Sequence, residues 1–213
     1  MNRCVIIPAW APDGVREIVS LTDDDYVICA DGGYDLALRE GILPHMLVGD
    51  FDSLDVENLT LPHAIKVVRT PKEKDETDTL LCLQRGMALG FVDFVIAGGI
   101  GGRLDHTLAN LQLLAYGAHN GIHVWLMDRN NRVTMLMPGQ IMVPRQDGYK
   151  LSVFSYWEKC EGVTLEKVKY PLQEAVLESD YPLGVSNEFI SDTAVVRFSK
   201  GRLLLVLSRD GDH

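Results

Sequence analysis

The sequence predicts two folds in one chain: an α/β domain with a mostly parallel sheet and flanking helices over residues 1–137, then an all-β sandwich over residues 138–213. Three observations lead there. Up to about residue 127, short apolar runs alternate with helix-like segments, the pattern of a parallel sheet covered by helices. After "MPGQ", residues 137–140, only strand-like pieces remain, several of them alternating with period two and broken by Pro and Gly. The length, 213 residues, suffices for one large or two small domains that bury about 70% of their unfolded surface without staples.

Each element follows from its own residues. "RCVIIPAW" reads as a strand, and a helix follows around Asp13 to Ser20. "DYVICADGG" is a strand ending in a carboxylate and two glycines, and "GYDLALREGI" is a short helix closed by Gly41. "HMLVGDFDSL" and "AIKVVRTP" are the next strands. "DETDTLLCLQRGMALG" is a strong helix: acids crowd its first turn, where they complement the dipole, and Gly90 sits where a C-cap belongs. "FVDFVIAGG" is a strand, "RLDHTLANLQLLAYGAHNG" a helix and "HVWLMD" a strand, which completes a Rossmann-like alternation. In the second domain the strands are "QIMVPR", "YKLSVFSYW", "GVTLEKVKY", "TAVVRFSKG" and "RLLLVLSR". "SKGR", Ser199 to Arg202, reads as a hairpin turn between the last two. Trp157, Tyr170 and Phe189 read as sandwich core.

Composition narrows the function classes. Apolar residues are 46% and charged residues 23%, ordinary for a soluble globular protein. The net charge of -10 argues against a nucleic-acid partner held by phosphate contacts and suits a protein that handles cations. The 4 cysteines form no C-x-x-C pair, and Cys4, Cys29 and Cys82 lie in apolar runs, so buried reduced thiols are expected. No apolar run suits a signal peptide or a membrane span, and the expectation is a cytoplasmic protein with no membrane partner.

The chemistry gathers at strand ends. In an open parallel sheet, ligands bind beyond the carboxyl ends of the strands. Asp31, Gly32 and Gly33 follow the second strand; Asp50, Asp52 and Ser53 follow the third; "TPKEKDETD" and "GGIGGRLDH" follow later ones. In "LVGDFDSL" the side chains of Asp50 and Asp52 point the same way from an extended segment. Two such charges about 4 Å apart repel by roughly 4 kcal/mol at an effective dielectric of about 20. A shared proton, a cationic side chain or a metal ion would offset that. Asp75 and Asp78, three apart at a helix start, are expected to share a face and join them. Oxygen-only ligands favour Mg²⁺, which binds one or two carboxylates plus substrate phosphates. The glycines of "GGIGGRLDH" would let backbone N–H groups approach an anion, and the Arg103 guanidinium could fork onto a phosphate. Asp105 could contact a substrate cation or satisfy the first turn of its helix. A histidine placed like His106 more often packs or hydrogen-bonds than acts as a base.

Five stretches stand in order: "ADGG" at 30–33, "VGDFDS" at 48–53, "KDETDT" at 74–79, "GGIGGRLDHTLAN" at 98–110 and "GVSNEF" at 184–189. Together they resemble the bacterial form of the thiamine pyrophosphokinase (thiamine diphosphokinase) family. The resemblance implies that ATP and thiamine give AMP and thiamine diphosphate, with Mg²⁺, in a homodimer whose active sites lie at the subunit interface. It implies that Asp50, Asp52 and the Asp75/Asp78 pair handle Mg²⁺ and the activated hydroxyl, with either Asp75 or Asp78 as base. Asp31, Gly32, Ser53, Lys74, Thr77, Gly99, Gly102 and Arg103 would line the nucleotide. Asp105 and His106, with Ser186 and Asn187 contributed by the partner subunit, would address thiamine. Glu188 and Phe189 follow the Ser-Asn pair where some members, mainly eukaryotic ones, carry a different run. The rival reading is a metal-dependent phosphoesterase or nucleotide hydrolase, whose two-metal sites usually add histidines that "GDFDS" and "KDETD" lack. A nucleotide-sensing module without turnover would have to keep so many carboxylates on one rim at a cost in stability.

Overall fold

The computed structural model describes residues 3–51 and 65–211. The chain forms two compact units, Met1–Arg129 and Asn130–His213. The division falls eight residues before the break expected after Met137. "NRVTML", which the sequence reading left outside any strand, is a strand of the second unit because it pairs antiparallel with the chain's last strand.

The first unit runs β1 (Cys4–Ile7), α1 (Val15–Ile18), β2 (Tyr26–Ala30), α2 (Gly33–Arg39), β3 (Met46–Gly49), β4 (Lys66–Arg69), α3 (Asp78–Ala88), β5 (Asp93–Ala97), α4 (Leu104–His119) and β6 (His123–Met127). Every pairing among these strands is parallel, in the order β4-β3-β2-β1-β5-β6. Val5 lies opposite both Val27 and Val95. β1, β3 and all but the first residue of β2 and β5 are buried, as strands covered on both faces must be. Val5, Ile7, Val27, Cys29, Leu47 and Val95 belong to one core cluster. α3 starts at Thr77, whose hydroxyl accepts the Leu80 N–H at 3.2 Å, and it passes close over β5 at Gly86, where a Cβ would strike the Phe94 ring. From β1 the chain winds outward through β2, β3 and β4, then returns to the other side of β1 as β5. The carboxyl ends of β1 and β5 therefore flank a topological switch point, where such sheets bind ligands.

The second unit contains β7 (Asn131–Leu136), β8 (Gly139–Pro144), β9 (Lys150–Ser155), β10 (Cys160–Glu166), β11 (Leu172–Leu177), β12 (Thr193–Phe198) and β13 (Leu203–Ser208). β13 pairs antiparallel with β7 and β9, and a second antiparallel sheet has the order β11-β10-β12-β8. Buried residues alternate along β13 and β12, the signature of sheets with one face inward. The all-β expectation holds, but the hairpin does not: β12 and β13 lie in different sheets, and "SKGR" carries the chain between them. Ser199 N–H donates to the Glu161 carbonyl and Glu161 N–H to that of Lys200, which fastens this connection to β10 instead. The aromatic expectation also changes. Trp157 is 72% exposed and Tyr170 59%, so neither fills the core. All four cysteines are buried and unpaired, and burial pushes the Cys4 thiol up to about 12. Among the described residues no helix is long and apolar enough to cross a membrane.

Candidate active site

A cavity of about 420 Å³ opens at the switch point of the first unit. Its walls come from the ends of β1, β2 and β5 and the starts of α3 and α4: Ala9, Asp31, Asp78, Gly99 and Arg103 represent them.

Asp31 is the carboxylate at its centre. It follows β2 with φ of 39°, a conformation that Asp tolerates better than most residues. Its carboxylate accepts the backbone N–H groups of Gly32 and Phe51. Burial first, then the negative charges of Asp50 and Asp78, hold its carboxyl above the ordinary value in spite of those bonds. Its Oδ1 is buried without a hydrogen-bond partner among the described residues. Gly49 is required beside it, since a Cβ there would stand 3.0 Å from the Asp31 Cα. Phe51, buried and apolar, takes φ of 57°, a strained conformation next to the carboxylates.

Asp78 opens α3 and pairs through Oδ1 with Lys74 Nζ at 2.7 Å. Lys74 also donates to Thr70 Oγ1 at 2.8 Å. Across the cavity the glycine loop is held internally. Gly98 N–H donates to the Met127 carbonyl at 2.7 Å, and Gly99 N–H to the Trp10 carbonyl at 2.6 Å. Gly101 N–H reaches Thr107 Oγ1 at 3.1 Å. Asn110, 6% exposed, donates from Nδ2 to the Gly99 carbonyl at 2.9 Å. Gly98, Gly99, Gly101 and Gly102 all have positive φ. Beyond the loop, Arg103 and Asp105 form a two-pronged ion pair at 3.1 and 2.6 Å, both well exposed. The hydrogen bonds from Arg103 hold the Asp105 carboxyl below its usual range, and Asp105 in turn raises Arg103.

Two family models match this chain in succession: "Thiamin pyrophosphokinase, catalytic domain" over residues 19–126, and "Thiamin pyrophosphokinase, vitamin B1 binding domain" over residues 140–203. The chain belongs to the thiamin pyrophosphokinase family. A thiamine pyrophosphokinase of Bacillus subtilis (strain 168) is 31% identical over 214 residues, covering 99% of this chain and 100% of that protein. The crystal structure of the Bacillus subtilis enzyme superposes with a TM-score of 0.87 at 28% identity, over 99% of this chain and 100% of that one. A thiamin pyrophosphokinase family protein of Enterococcus faecalis gives 0.85 at 29% identity, over 98% and 100%.

Measured against a thiamin pyrophosphokinase site, the residues expected from sequence divide into three groups. Asp31, Thr77, Asp78, Gly99, Arg103 and His106 line the cavity, and Asp50 stands near enough to act on the charge of Asp31. Asp52 and Ser53 lie outside the described residues. The remaining residues have other surroundings. Asp75 is exposed and precedes the Thr77 cap, so it does not share a helical face with Asp78. Asp31 takes the place at Asp78's side that Asp75 was expected to hold. Gly32 is the N-cap of α2, and Gly102 lies against the Trp10 ring. Lys74 is committed to Asp78 and Thr70 and does not line the cavity. The expectation that the glycine N–H groups face an anion fails for Gly98, Gly99 and Gly101, whose N–H groups all have partners in the chain.

In the second unit, Ser186 is exposed with φ of 56°, and its N–H donates to Ser152 Oγ at 2.9 Å. Asn187 is 2% exposed and holds up the fold: Oδ1 accepts the N–H groups of Tyr170 and Glu188, and Nδ2 donates to the Tyr170 carbonyl at 2.7 Å. Its backbone bonds Leu151 in both directions. Sequence reasoning missed Trp10 and Asn110. The rule of strand ends would have found Trp10, since "PAW" follows β1 as "DGG" follows β2. The Asn110 signal was its place one turn beyond His106 on the same helix face.

Among the described residues no three His, Cys, Asp or Glu side chains converge on a point. The donor set still fits Mg²⁺, a cation that takes one or two carboxylates and completes its shell from water and phosphate. The orphaned Oδ1 of Asp31, whose carboxylate feels the charges of Asp50 and Asp78, is the atom such a cation would satisfy.

Proposed function

We propose that this cavity is where ATP and thiamine react, with Mg²⁺ held by Asp31 and Asp50, and by Asp52, which lies outside the described residues, as the family resemblance implies. The reaction is diphosphoryl transfer: the hydroxyl of thiamine attacks the β-phosphorus of ATP, the bond to the AMP oxygen breaks, and thiamine diphosphate and AMP leave. The observation that carries the assignment is the carboxylate cluster around Asp31 at the switch point of a domain matched by the catalytic family model.

Each side chain has a part that follows from its surroundings. Asp31 would meet the cation through its orphaned Oδ1, and Asp78 is placed to accept the hydroxyl proton, a step to which a positioned general base contributes roughly 10²–10⁴-fold. The ion pair with Lys74 at 2.7 Å holds the Asp78 side chain in position toward the hydroxyl. Arg103 exchanges Asp105 for a phosphate, where its planar guanidinium meets the charge that develops on the departing AMP. Asp105, released from Arg103, is then a free carboxylate for the thiazolium cation. Bound Mg²⁺ would neutralise the phosphate oxygens during this transfer. Ser186 would contact thiamine from a partner subunit, as the family resemblance implies, and Asn187 fixes the loop that carries Ser186. Active sites completed by a second copy of the chain, and a cytoplasmic setting, belong to the same proposal and rest on the family resemblance. No observation favours the hydrolase reading.

The test is AMP formation from ATP and Mg²⁺ with and without thiamine. AMP should appear only with thiamine, matched by thiamine diphosphate. Chelation should abolish it and added Mg²⁺ restore it. ADP or phosphate formed without an acceptor would mean that the carboxylates activate water, and the transferase reading would fall.

A further inference from the structure

Trp10 walls the cavity, yet the chemistry above makes no use of it. The residue is 48% exposed, so part of its large apolar surface is open to a ligand. Its position is nevertheless set from two directions. The Trp10 carbonyl accepts the Gly99 N–H at 2.6 Å, which ties its backbone to the glycine loop. The ring lies on Gly102: a Cβ there would stand 2.9 Å from Cε2 and 3.1 Å from both Cδ2 and Cζ2. Three nearly equal distances to neighbouring ring atoms place Gly102 over the ring face and not at its edge. Gly98 completes the seat, since a Cβ there would come within 2.5 Å of the Trp10 carbonyl oxygen. Gly98 and Gly102 thus leave the room that Trp10 occupies. The result is a flat apolar surface, held before any ligand arrives and bordering the cavity beside Arg103 and His106.

We propose that Trp10 is the platform on which the nucleobase of the bound nucleotide stacks, and so a determinant of affinity for a nucleotide over its bare phosphate chain. This rests on the reading that the cavity takes ATP. The direction of the nucleotide follows from the residues around the ring. Arg103, the phosphate ligand of that reading, directly follows Gly102, which lies under the ring. A phosphate on Arg103 therefore leaves the base within a sugar's length of the indole. The carboxylates of Asp31 and Asp78 come from other strand and helix ends and attract the cation and the hydroxyl of the acceptor.

The experiment is calorimetric titration of the full chain, with Mg²⁺, by ATP, inorganic tripolyphosphate and thiamine separately, for wild type, Trp10→Phe and Trp10→Ala. Base–aromatic stacking predicts that Trp10→Ala weakens ATP roughly 5- to 150-fold and leaves tripolyphosphate within about twofold. Trp10→Phe keeps a stacking face and should retain most ATP affinity, which also guards against a variant that fails to fold. Equal losses for ATP and tripolyphosphate would make Trp10 a brace for the glycine loop and overturn the proposal. A loss confined to thiamine, or no loss at all, would overturn it as well. A wild-type chain that binds tripolyphosphate but gains nothing from the base would refute the platform alone. One that binds neither ATP nor tripolyphosphate would remove the ATP reading itself.

Discussion

Asn110→Asp tests whether one buried amide holds the glycine loop in place. The side chain is 6% exposed, and its Nδ2 donates to the Gly99 carbonyl at 2.9 Å, so the substitution conserves volume and replaces the donor with a titratable carboxyl. Losing that bond costs about 0.5–1.5 kcal/mol, and leaving the buried carbonyl unsatisfied about 1–3 kcal/mol more. A net loss of roughly 1.5–4.5 kcal/mol at about 2–4 °C per kcal/mol lowers Tm by roughly 3–18 °C. The sign of the pH dependence is fixed by the same geometry. A carboxyl buried against a carbonyl is easier to protonate in the folded chain than in the unfolded one, and its neutral O–H can donate to Gly99. The deficit is therefore present at neutral pH and shrinks as the pH falls toward the ordinary carboxylate value of about 3.9. Thermal melts of Asn110→Asp and wild-type chains at neutral and acid pH, with KM for ATP at neutral pH, give the answer. Melting within about 1 °C of wild type at both pH values, with an unchanged KM, would refute the clamp.

Asp31→Asn should raise the Tm of the ligand-free chain at neutral pH while removing most turnover. Asn tolerates the φ of 39° and relieves the repulsion from Asp50 and Asp78. Because the Asp31 carboxyl is raised in the folded state, its contribution to stability is whole below its unfolded value of about 3.9 and is lost as the pH rises through the folded value. The gain from Asn should accordingly vanish in melts at low pH, and a gain constant with pH would contradict the assignment. Arg103→Ala should leave Tm unchanged, since the Arg103–Asp105 pair is fully exposed, yet lower kcat about 10²–10³-fold, as loss of a charge-stabilising donor does. A parallel loss of stability and rate would assign Arg103 to the fold instead.

The residues of "CVII", "YVICA" and "DFVIA" by themselves determined that a buried parallel sheet would form, because strands covered on both faces must be apolar throughout. The rule that ligands sit at strand ends then placed Asp31, Asp78, Gly99 and Arg103 along one rim, and the structure brings those four to one cavity. Helix periodicity was a poorer guide at helix ends. Spacing alone put Asp75 and Asp78 on one face, whereas capping by Thr77 starts the helix later and leaves Asp75 outside it. Only the tertiary structure set Asp31 near Asp78, because the start of α3 meets the end of β2 through sheet order and not through sequence distance. The same holds in the second unit. "SKGR" has the chemistry of a tight turn, but the partners of its flanking strands are β10, β8, β7 and β9, which lie far away in the chain. Asn187 looked like a ligand residue because a polar side chain in a loop reads the same whether it faces water or bonds Tyr170. Burial decides between those, and burial is a property of the folded chain: local sequence determines which surfaces must be covered, and long-range packing determines what covers them.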